Sequence, residues 1–107
     1  MITQVIIRCT RGGHKFVVLR NEKNETVVFA DDSPKLGYHR ELRRQYVAEN
    51  NLNACCLGGG WIRYDAEKKV IQIGGSSGDF GREPDREETV NAIKRAHPDF
   101  DVGEFNS

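Results

Sequence analysis

Three consecutive glycines, Gly58, Gly59 and Gly60, interrupt an otherwise apolar run of the chain. Glycine loses more conformational freedom on folding than any other residue, so three of them inside a strand are costly. A glycine in a strand interior usually marks a place where another backbone, a side chain or a ligand comes close. This triple glycine therefore predicts a crowded point of the fold, and we expect the rest of the chain to be organised around it.

A second glycine-rich stretch, residues 74–81, follows one hairpin later and is called the serine loop here. It lies between a predicted strand and a predicted helix, and successive backbone N–H groups in such a loop can form an anion-binding nest. It lacks the Gly-Lys-Ser/Thr ending of a Walker A loop and the dinucleotide GxGxxG pattern. Two interpretations stay open: a phosphate-binding loop that uses its amides and the hydroxyls of Ser76 and Ser77, or a flexible connection.

Hydrophobic patterning predicts an antiparallel opening. The β-branched run at residues 5–7 is typical of a strand buried on both faces, and further strands are expected at 16–19 and 26–29. We expect these three to form a meander. Ser33 before Pro34 predicts a helix start, because proline fits the first helical turn. The helix should end near residue 50.

The second half predicts a hairpin of strands at 54–64 and 69–73, a helix opening at Pro84, and a last strand at 100–105. Asp85 and Glu88 have the spacing of a capping box, and Pro98 should stop the helix. With about six strands and two helices, we predict one α+β domain over residues 1–107. Its sheet should be mixed and mostly antiparallel, with the helices packed on it.

Net charge, hydropathy and cysteine content argue against several classes of function. The formal net charge is zero, which argues against nucleic acid as a partner, and no apolar run is long enough to span a bilayer. The first residues lack a basic n-region and a cleavage-site pattern. Cys9, Cys55 and Cys56 form an odd set without zinc-ligand spacing, which suits small buried free thiols in a reducing compartment. We therefore expect a cytoplasmic protein without metal or other cofactor.

His39 is the sharpest candidate for chemistry, because it lies near the start of the first helix between Tyr38 and Arg40. The positive end of a helix disfavours imidazolium, so a neutral imidazole is expected there. A neutral imidazole can accept a proton from water or attack phosphorus itself. The alternative is a surface histidine beside a buried tyrosine.

Taken together, these motifs resemble the phosphohistidine phosphatase (Janus/Ocnus) family. The resemblance rests on Tyr38-His39, the string Cys56-Leu57-Gly58-Gly59-Gly60, the serine loop ending in aromatic-Gly, and the stretch at 93–100. It implies a small monomeric α+β enzyme that hydrolyses protein phosphohistidine, and in some members phospholysine, without metal. It also implies that His39 is the catalytic histidine, as base or nucleophile, and that Ser76, Ser77 and Gly78 bind phosphate.

Two departures from the family pattern involve lost cations. The family has a substrate-contacting lysine where this chain has Thr3, and an arginine after the glycines where this chain has Trp61. Arg63, on the same face of the strand as Trp61, Arg40 or Arg82 could supply the missing charge. The expected partners are phosphohistidine-containing proteins, with inorganic phosphate or sulfate able to occupy the site. The alternatives are a non-catalytic phosphate- or phosphoprotein-binding module and a regulatory protein with no anion site.

Overall fold

The computed structural model describes residues 1–9, 11–32 and 38–105. Within them, six strands and two helices build an α+β fold, as the pattern predicts. The elements are β1 (Ile2–Arg8), β2 (Gly12–Asn21), β3 (Thr26–Asp31), α1 (His39–Asn50), β4 (Ala54–Asp65), β5 (Val70–Gly74), α2 (Arg86–Ala96) and β6 (Asp101–Glu104). The helix start predicted at Ser33 and Pro34 lies outside the described residues.

All six strands form one sheet in the order β1-β3-β2-β4-β5-β6. The pairs β2/β3, β2/β4 and β4/β5 are antiparallel, whereas β1/β3 and β5/β6 are parallel. The sheet is therefore mixed and mostly antiparallel, as predicted. The expected meander is wrong for β1, which lies outside β3 and parallel to it. Because β4 pairs with β2 along its whole length, only the outer edge of β3 is left for β1.

The position of β1 at the sheet edge also changes its predicted burial. Val5 and Ile7 pack on the core cluster under α2, and Ile6 packs on the cluster under α1. The strand thus contacts the core through both faces, but Val5, Ile6 and Ile7 are only half-buried, because β1 is an edge strand of the described sheet.

Each helix packs on one face of the sheet and closes one core cluster. Helix α2 packs against β1 and β6, and α1 packs against β2, β3 and β4. The fully buried side chains are led by Tyr46, Phe16, Phe29, Leu19, Leu42, Ile62, Ile71, Ile73 and Ile93. The candidate site lies on the α1 side. Neither helix is long and apolar enough to cross a membrane.

The two helices begin differently. In α2 the Asp85 carboxylate accepts a hydrogen bond from the Glu88 amide at 3.0 Å, so the predicted cap forms. In α1 the N-cap residue is Tyr38, which has an extended backbone and makes no side-chain cap. Burial of His39, Leu42 and Tyr46 along one face stabilises α1 instead. The first residue of this helix is therefore part of its packed face.

The triple glycine is the crowded point that the sequence predicts. A Cβ added at Gly58 would lie against the Glu83 backbone, one at Gly59 against the Phe16 carbonyl, and one at Gly60 against the Gly74 carbonyl. Each would come inside the 3.0 Å that real Cβ atoms keep. Three separate backbone segments thus approach three successive residues, and only glycine leaves room for all of them.

Candidate active site

His39 opens α1 and is buried, with only 4% of its surface exposed. Its Nε2 atom lies 2.9 Å from the Gly60 carbonyl oxygen. Because a carbonyl oxygen only accepts hydrogen bonds, Nε2 must carry a proton in this contact. The triple glycine thus fixes both the position and the tautomer of the imidazole, since the neutral ring then has its free lone pair on Nδ1.

The second ring nitrogen of His39 remains available for chemistry. Among the described residues, the buried side-chain nitrogens without a hydrogen-bond partner are His14 Nε2 and Arg86 Nη1. His39 Nδ1 is not among them, and it makes no hydrogen bond to another described residue. An unprotonated ring nitrogen can take a proton from water or attack an electrophile.

The pKa of His39 is lowered from its ordinary value of 6.5, chiefly because burial disfavours the charged ring. The Gly60 carbonyl raises it, the charge of Lys15 lowers it, and the charge of Asp79 raises it. A neutral imidazole at neutral pH was predicted from the helix end. The structure gives the same protonation state, but burial is the main cause.

Trp61 and Lys15 form the wall beside His39. The Trp61 ring meets the His39 ring edge to face, with centroids 6.5 Å apart. Lys15 faces Trp61 across β2 and β4, and its Nζ lies 4.4 Å from the indole centroid. In the family pattern an arginine follows the three glycines, whereas this chain has Trp61 there. Lys15 therefore supplies a positive charge next to that position.

A cavity of about 130 Å³ opens on this side of the molecule. It lies between Tyr38, the residue before the histidine, and Trp61, which packs on the imidazole. Its lining consists of Gly13, His14, Lys15, Asp31, Asp32, Tyr38, Leu42 and Trp61. His39 itself is not part of the lining, which combines aromatic surface with charges of both signs.

The serine loop is a closed turn around Ser77. The buried Ser77 hydroxyl accepts hydrogen bonds from the Asp79 and Phe80 amides at 3.2 and 3.1 Å. The Ser77 and Gly81 backbones also bond to each other in both directions. These groups hold the turn together, which leaves the amides of Ser76 and Gly78 without an acceptor in the described part of the chain. Both residues are exposed.

The serine loop and the start of α1 lie next to each other. Arg40 Nη1 and Asp79 Oδ2 are 3.6 Å apart, and the Asp79 charge acts on the His39 ring. Arg40 also stacks on Tyr38, 4.4 Å from the ring centroid. The imidazole, a cation and the loop that the sequence singled out thus occupy one region.

Two other predicted site residues lie farther away. Thr3 pairs with the beginning of β3, and its hydroxyl donates to the Thr26 carbonyl at 3.3 Å. It is roughly 20 Å from Trp61, counting three strand spacings of about 4.8 Å and four to five residues of about 3.3 Å. Arg63 is on the same face as Trp61, as expected, and its guanidinium stacks on Phe105 at 4.3 Å. The structure therefore gathers His39, Arg40 and the serine loop, places Arg63 two residues beyond Trp61 along β4, and leaves Thr3 apart.

The sequence did not point to Arg86, whose side chain connects the triple glycine with the serine loop. Its buried guanidinium donates to the Gly75 carbonyl at 2.8 Å and to the Gly59 carbonyl at 3.3 Å. Glu83 balances the charge with bonds of 2.7 and 2.8 Å. The spacing of Glu83 and Arg86 around the helix start was the available signal. Lys15 was missed too, because its place beside Trp61 depends on strand register.

The three cysteines are free thiols that differ in burial. Burial raises the pKa of Cys9 to about 12 and that of Cys56 to about 11, so both thiols stay protonated. Cys55 is exposed rather than buried as expected, because it lies on the outward side of β4. In the described ranges, no group of three or more His, Cys, Asp or Glu side chains could hold a metal ion.

The fold and the site together define a small α+β domain with one buried, neutral histidine beside a glycine- and serine-rich loop. The sequence model of the Janus/Ocnus family (Ocnus) matches residues 2–101. The chain therefore belongs to the Janus/Ocnus family. A search of curated proteins finds no match to it.

Proposed function

We propose that this protein is a phosphohistidine phosphatase that hydrolyses the P–N bond of phosphohistidine in proteins, with phospholysine as a second substrate class. The observation that carries the proposal is the state of His39. Its Nε2 proton is bound to the Gly60 carbonyl, which leaves the lone pair on Nδ1 of a ring that lies close to Asp79 of the serine loop. Family membership supports the same reading. The proposed reaction needs no metal, because a base and a set of N–H donors suffice for it.

In the proposed reaction His39 Nδ1 takes a proton from a water molecule. The water oxygen forms a bond to phosphorus while the P–N bond breaks, and His39 Nδ1 then passes the proton that it took from water to the leaving imidazole nitrogen. The free amides of Ser76 and Gly78, with the Ser76 hydroxyl, would contact the phosphoryl oxygens. Lys15 and Arg40 add positive charge near the histidine, which is the usual way to stabilise a transferring phosphoryl group.

A covalent variant of this mechanism uses the same nitrogen. His39 Nδ1 would form a bond to phosphorus while the P–N bond of the substrate breaks and the leaving imidazole takes up a proton from solvent. Water would then cleave the phospho-His39 intermediate and release phosphate. The two routes differ in whether label from a 32P-phosphohistidine peptide passes through the protein. A quenched single-turnover experiment separates them: labelled protein that forms and decays with turnover supports the nucleophile, and its absence supports the base.

His39→Gln is the sharpest test, because the glutamine amide can still donate to the Gly60 carbonyl but offers no basic nitrogen. We expect phosphate release from a phosphohistidine peptide to fall at least about 100-fold, the usual range for a lost acid–base group. His97→Gln is the matched control, since His97 packs on Phe100 away from the site. Equal turnover in the His39→Gln variant and the wild type would remove His39 from the mechanism.

A non-catalytic anion-binding module is the second candidate, and the replacement of two cations of the family pattern favours it. Trp61 stands where the family has an arginine, and Thr3, whose hydroxyl donates to the Thr26 carbonyl, stands where it has a lysine. Titration with inorganic phosphate, followed by the amide NMR signals of residues 74–81, tests the binding. Phosphate binding without turnover of phosphohistidine or phospholysine peptides would favour the module over the enzyme.

A further inference from the structure

One area of the sheet beside the candidate site lies beyond α1, on the same side of the sheet as that helix. Helix α1 packs on β2, β3 and β4, and within the described residues its main contacts do not include β5, where Phe105 lies against Gly74. Cross-strand pairing places Gly13, Arg63 and Gln72 in one row, and Lys15, Trp61 and Gly74 in the next. We call these two rows the open face. It begins at Trp61, the residue that contacts His39, and leads away from it.

Positive charge and aromatic surface alternate on the open face. Lys15 lies over the Trp61 ring at 4.4 Å, and Arg63 lies over the Phe105 ring at 4.3 Å. Neither cation has a carboxylate within ion-pair distance in the part of the chain that the structure describes. Trp61 is 43% exposed, which is unusual for the largest apolar side chain of a small domain. Cations held flat on rings are pre-ordered to meet an incoming anion.

A hollow of about 360 Å³ continues the open face at its far end. Arg11, Arg63 and Lys68 line it, together with one carboxylate, Asp65. The Asp65 carboxylate already accepts hydrogen bonds from the Glu67 and Lys68 amides, so it is committed to the hairpin turn. The hollow therefore carries a local excess of positive charge on a chain whose formal net charge is zero.

We propose that the open face binds an acidic segment of the protein substrate, next to the phosphorylated residue held at His39. This inference rests on the proposed function for its orientation, and on charge complementarity for the kind of partner. Trp61 and Arg63 lie about 7 Å apart along β4, which is two residues of an extended chain. Carboxylates about two to four residues from the phosphohistidine would then reach Arg63 and the hollow. A nucleic acid fits less well, because the positive area is confined to one face of a neutral domain.

Binding can be measured without turnover, because Trp61 is the only tryptophan of the chain. Nine-residue unphosphorylated peptides with a central His, carrying Glu, Gln or Lys at the flanking positions, are titrated while Trp61 emission is followed. We expect the Glu peptide to bind at least about tenfold more tightly than the Lys peptide. The difference should shrink as salt is raised, because exposed charges are screened.

Arg63→Gln should weaken the binding of the Glu peptide about threefold, as expected for one exposed ion pair. Lys94→Gln on α2 is the matched control and should leave it unchanged, since Lys94 is exposed on the helix behind the sheet. Equal affinity for the three peptides, no emission change with any of them, or equal effects of the two variants would overturn the proposal. So would equally strong competition by a short single-stranded RNA of the same charge.

Kinetics separate this inference from the proposed function. With phosphohistidine in the same peptides, Arg63→Gln should raise KM for the Glu-flanked substrate and leave kcat unchanged. A preference for the Glu peptide in binding with no turnover of any phosphopeptide would refute the enzyme and support the docking surface. Turnover that is indifferent to the flanking residues, with equal binding of all peptides, would refute the docking surface and support the enzyme.

Discussion

The triple glycine and the serine loop touch each other, because the Gly59 amide donates to the Gly81 carbonyl at 3.0 Å. In the triple glycine every residue is needed because other backbones lie where a Cβ would be. In the serine loop, Gly78 and Gly81 have nothing within 4 Å of an added Cβ, and Gly81 has a positive φ of 73°. The triple glycine uses glycine for closeness, whereas Gly81 in the turn of the serine loop uses it for backbone freedom, although Gly74 at the start of that loop is also crowded, by Phe105.

The two stretches therefore have different roles in the candidate site. The crowded stretch presents a fixed carbonyl, Gly60, which orients His39. The open stretch presents the exposed residues Ser76 and Gly78, whose amides have no acceptor in the described chain. Arg86 holds the two in one arrangement through the Gly59 and Gly75 carbonyls. A rigid support for the base and a loop able to meet a ligand are thus built from the same residue type.

The largest effect should come from breaking the connection between the two stretches. Arg86→Met leaves the Glu83 carboxylate, whose side chain is 2% exposed, without its partner. Removing one member of a buried ion pair typically costs about 3–5 kcal/mol, so we expect a loss of unfolding free energy in this range. Urea denaturation measures it. Arg95→Met is the control, because its ion pair with Glu88 is exposed and should be worth less than about 1 kcal/mol. Similar losses in the two variants would contradict the role given to Arg86.

Crowding at the triple glycine predicts the next effect. Gly59→Ala places a methyl group against the Phe16 carbonyl, which belongs to a backbone that cannot rotate away. We expect a loss of about 3 kcal/mol in unfolding free energy, at the upper end of what overpacking costs. Gly78→Ala in the serine loop should change it by less than about 0.5 kcal/mol, as for an uncrowded surface position. If the two variants unfold at the same urea concentration, the comparison between the stretches fails.

Backbone freedom at Gly81 predicts an intermediate effect. Gly81→Ala meets no atom, yet it forces a side chain into the left-handed region at φ 73°. The expected loss is about 1 kcal/mol, measured by the same urea denaturation. A loss as large as that of Gly59→Ala would mean that Gly81 is also crowded. No loss would mean that the turn relaxes to another conformation.

The smallest effects concern the protonation of His39, which lies between the two stretches. Lys15→Gln removes a charge that lowers the pKa of His39, so that pKa should rise. Asp79→Asn removes a charge that raises it, so the pKa should fall below the wild-type value. NMR titration of the His39 ring protons measures both. Shifts in the same direction would contradict the placement of the two charges around the imidazole.

The same pKa makes stability depend on pH. Because the folded-state pKa of His39 lies below 6.5, the unfolded chain takes up its proton first as pH falls. Unfolding free energy should therefore decrease from about pH 6.5 down to the folded-state pKa and level off below it. His39→Gln should flatten this slope. A residual slope is expected from His97, whose pKa burial also lowers.

Local sequence signals predicted much of the fold. The cap of α2 by Asp85 follows from residue spacing, because it involves neighbours along the chain. The hairpin of β4 and β5 and the helical face with Leu42 and Tyr46 follow in the same way. The neighbours of β1 did not follow, since its apolar pattern fits any position with two partly covered faces. Pairing with β3 depends on which edge β4 leaves free.

Several site residues could be named from the sequence, but their relations could not. His39 and the serine loop stand out by residue type, yet the cause of the lowered pKa is burial, which a sequence does not display. Ser77 was expected to face a ligand, whereas its hydroxyl closes the turn. Lys15 became part of the site only through its pairing with Trp61 across two strands.

The sequence by itself determined the class of fold, the crowded triple glycine, and the identity of the one histidine at a helix start. These features follow from residue size, backbone freedom and the period of the hydrophobic pattern, which are local properties of the sequence. The tertiary structure alone decided which nitrogen of His39 is free and which cations stand near it. It also decided how Arg86 joins the two glycine-rich stretches, because those features depend on distances between segments that are far apart along the chain.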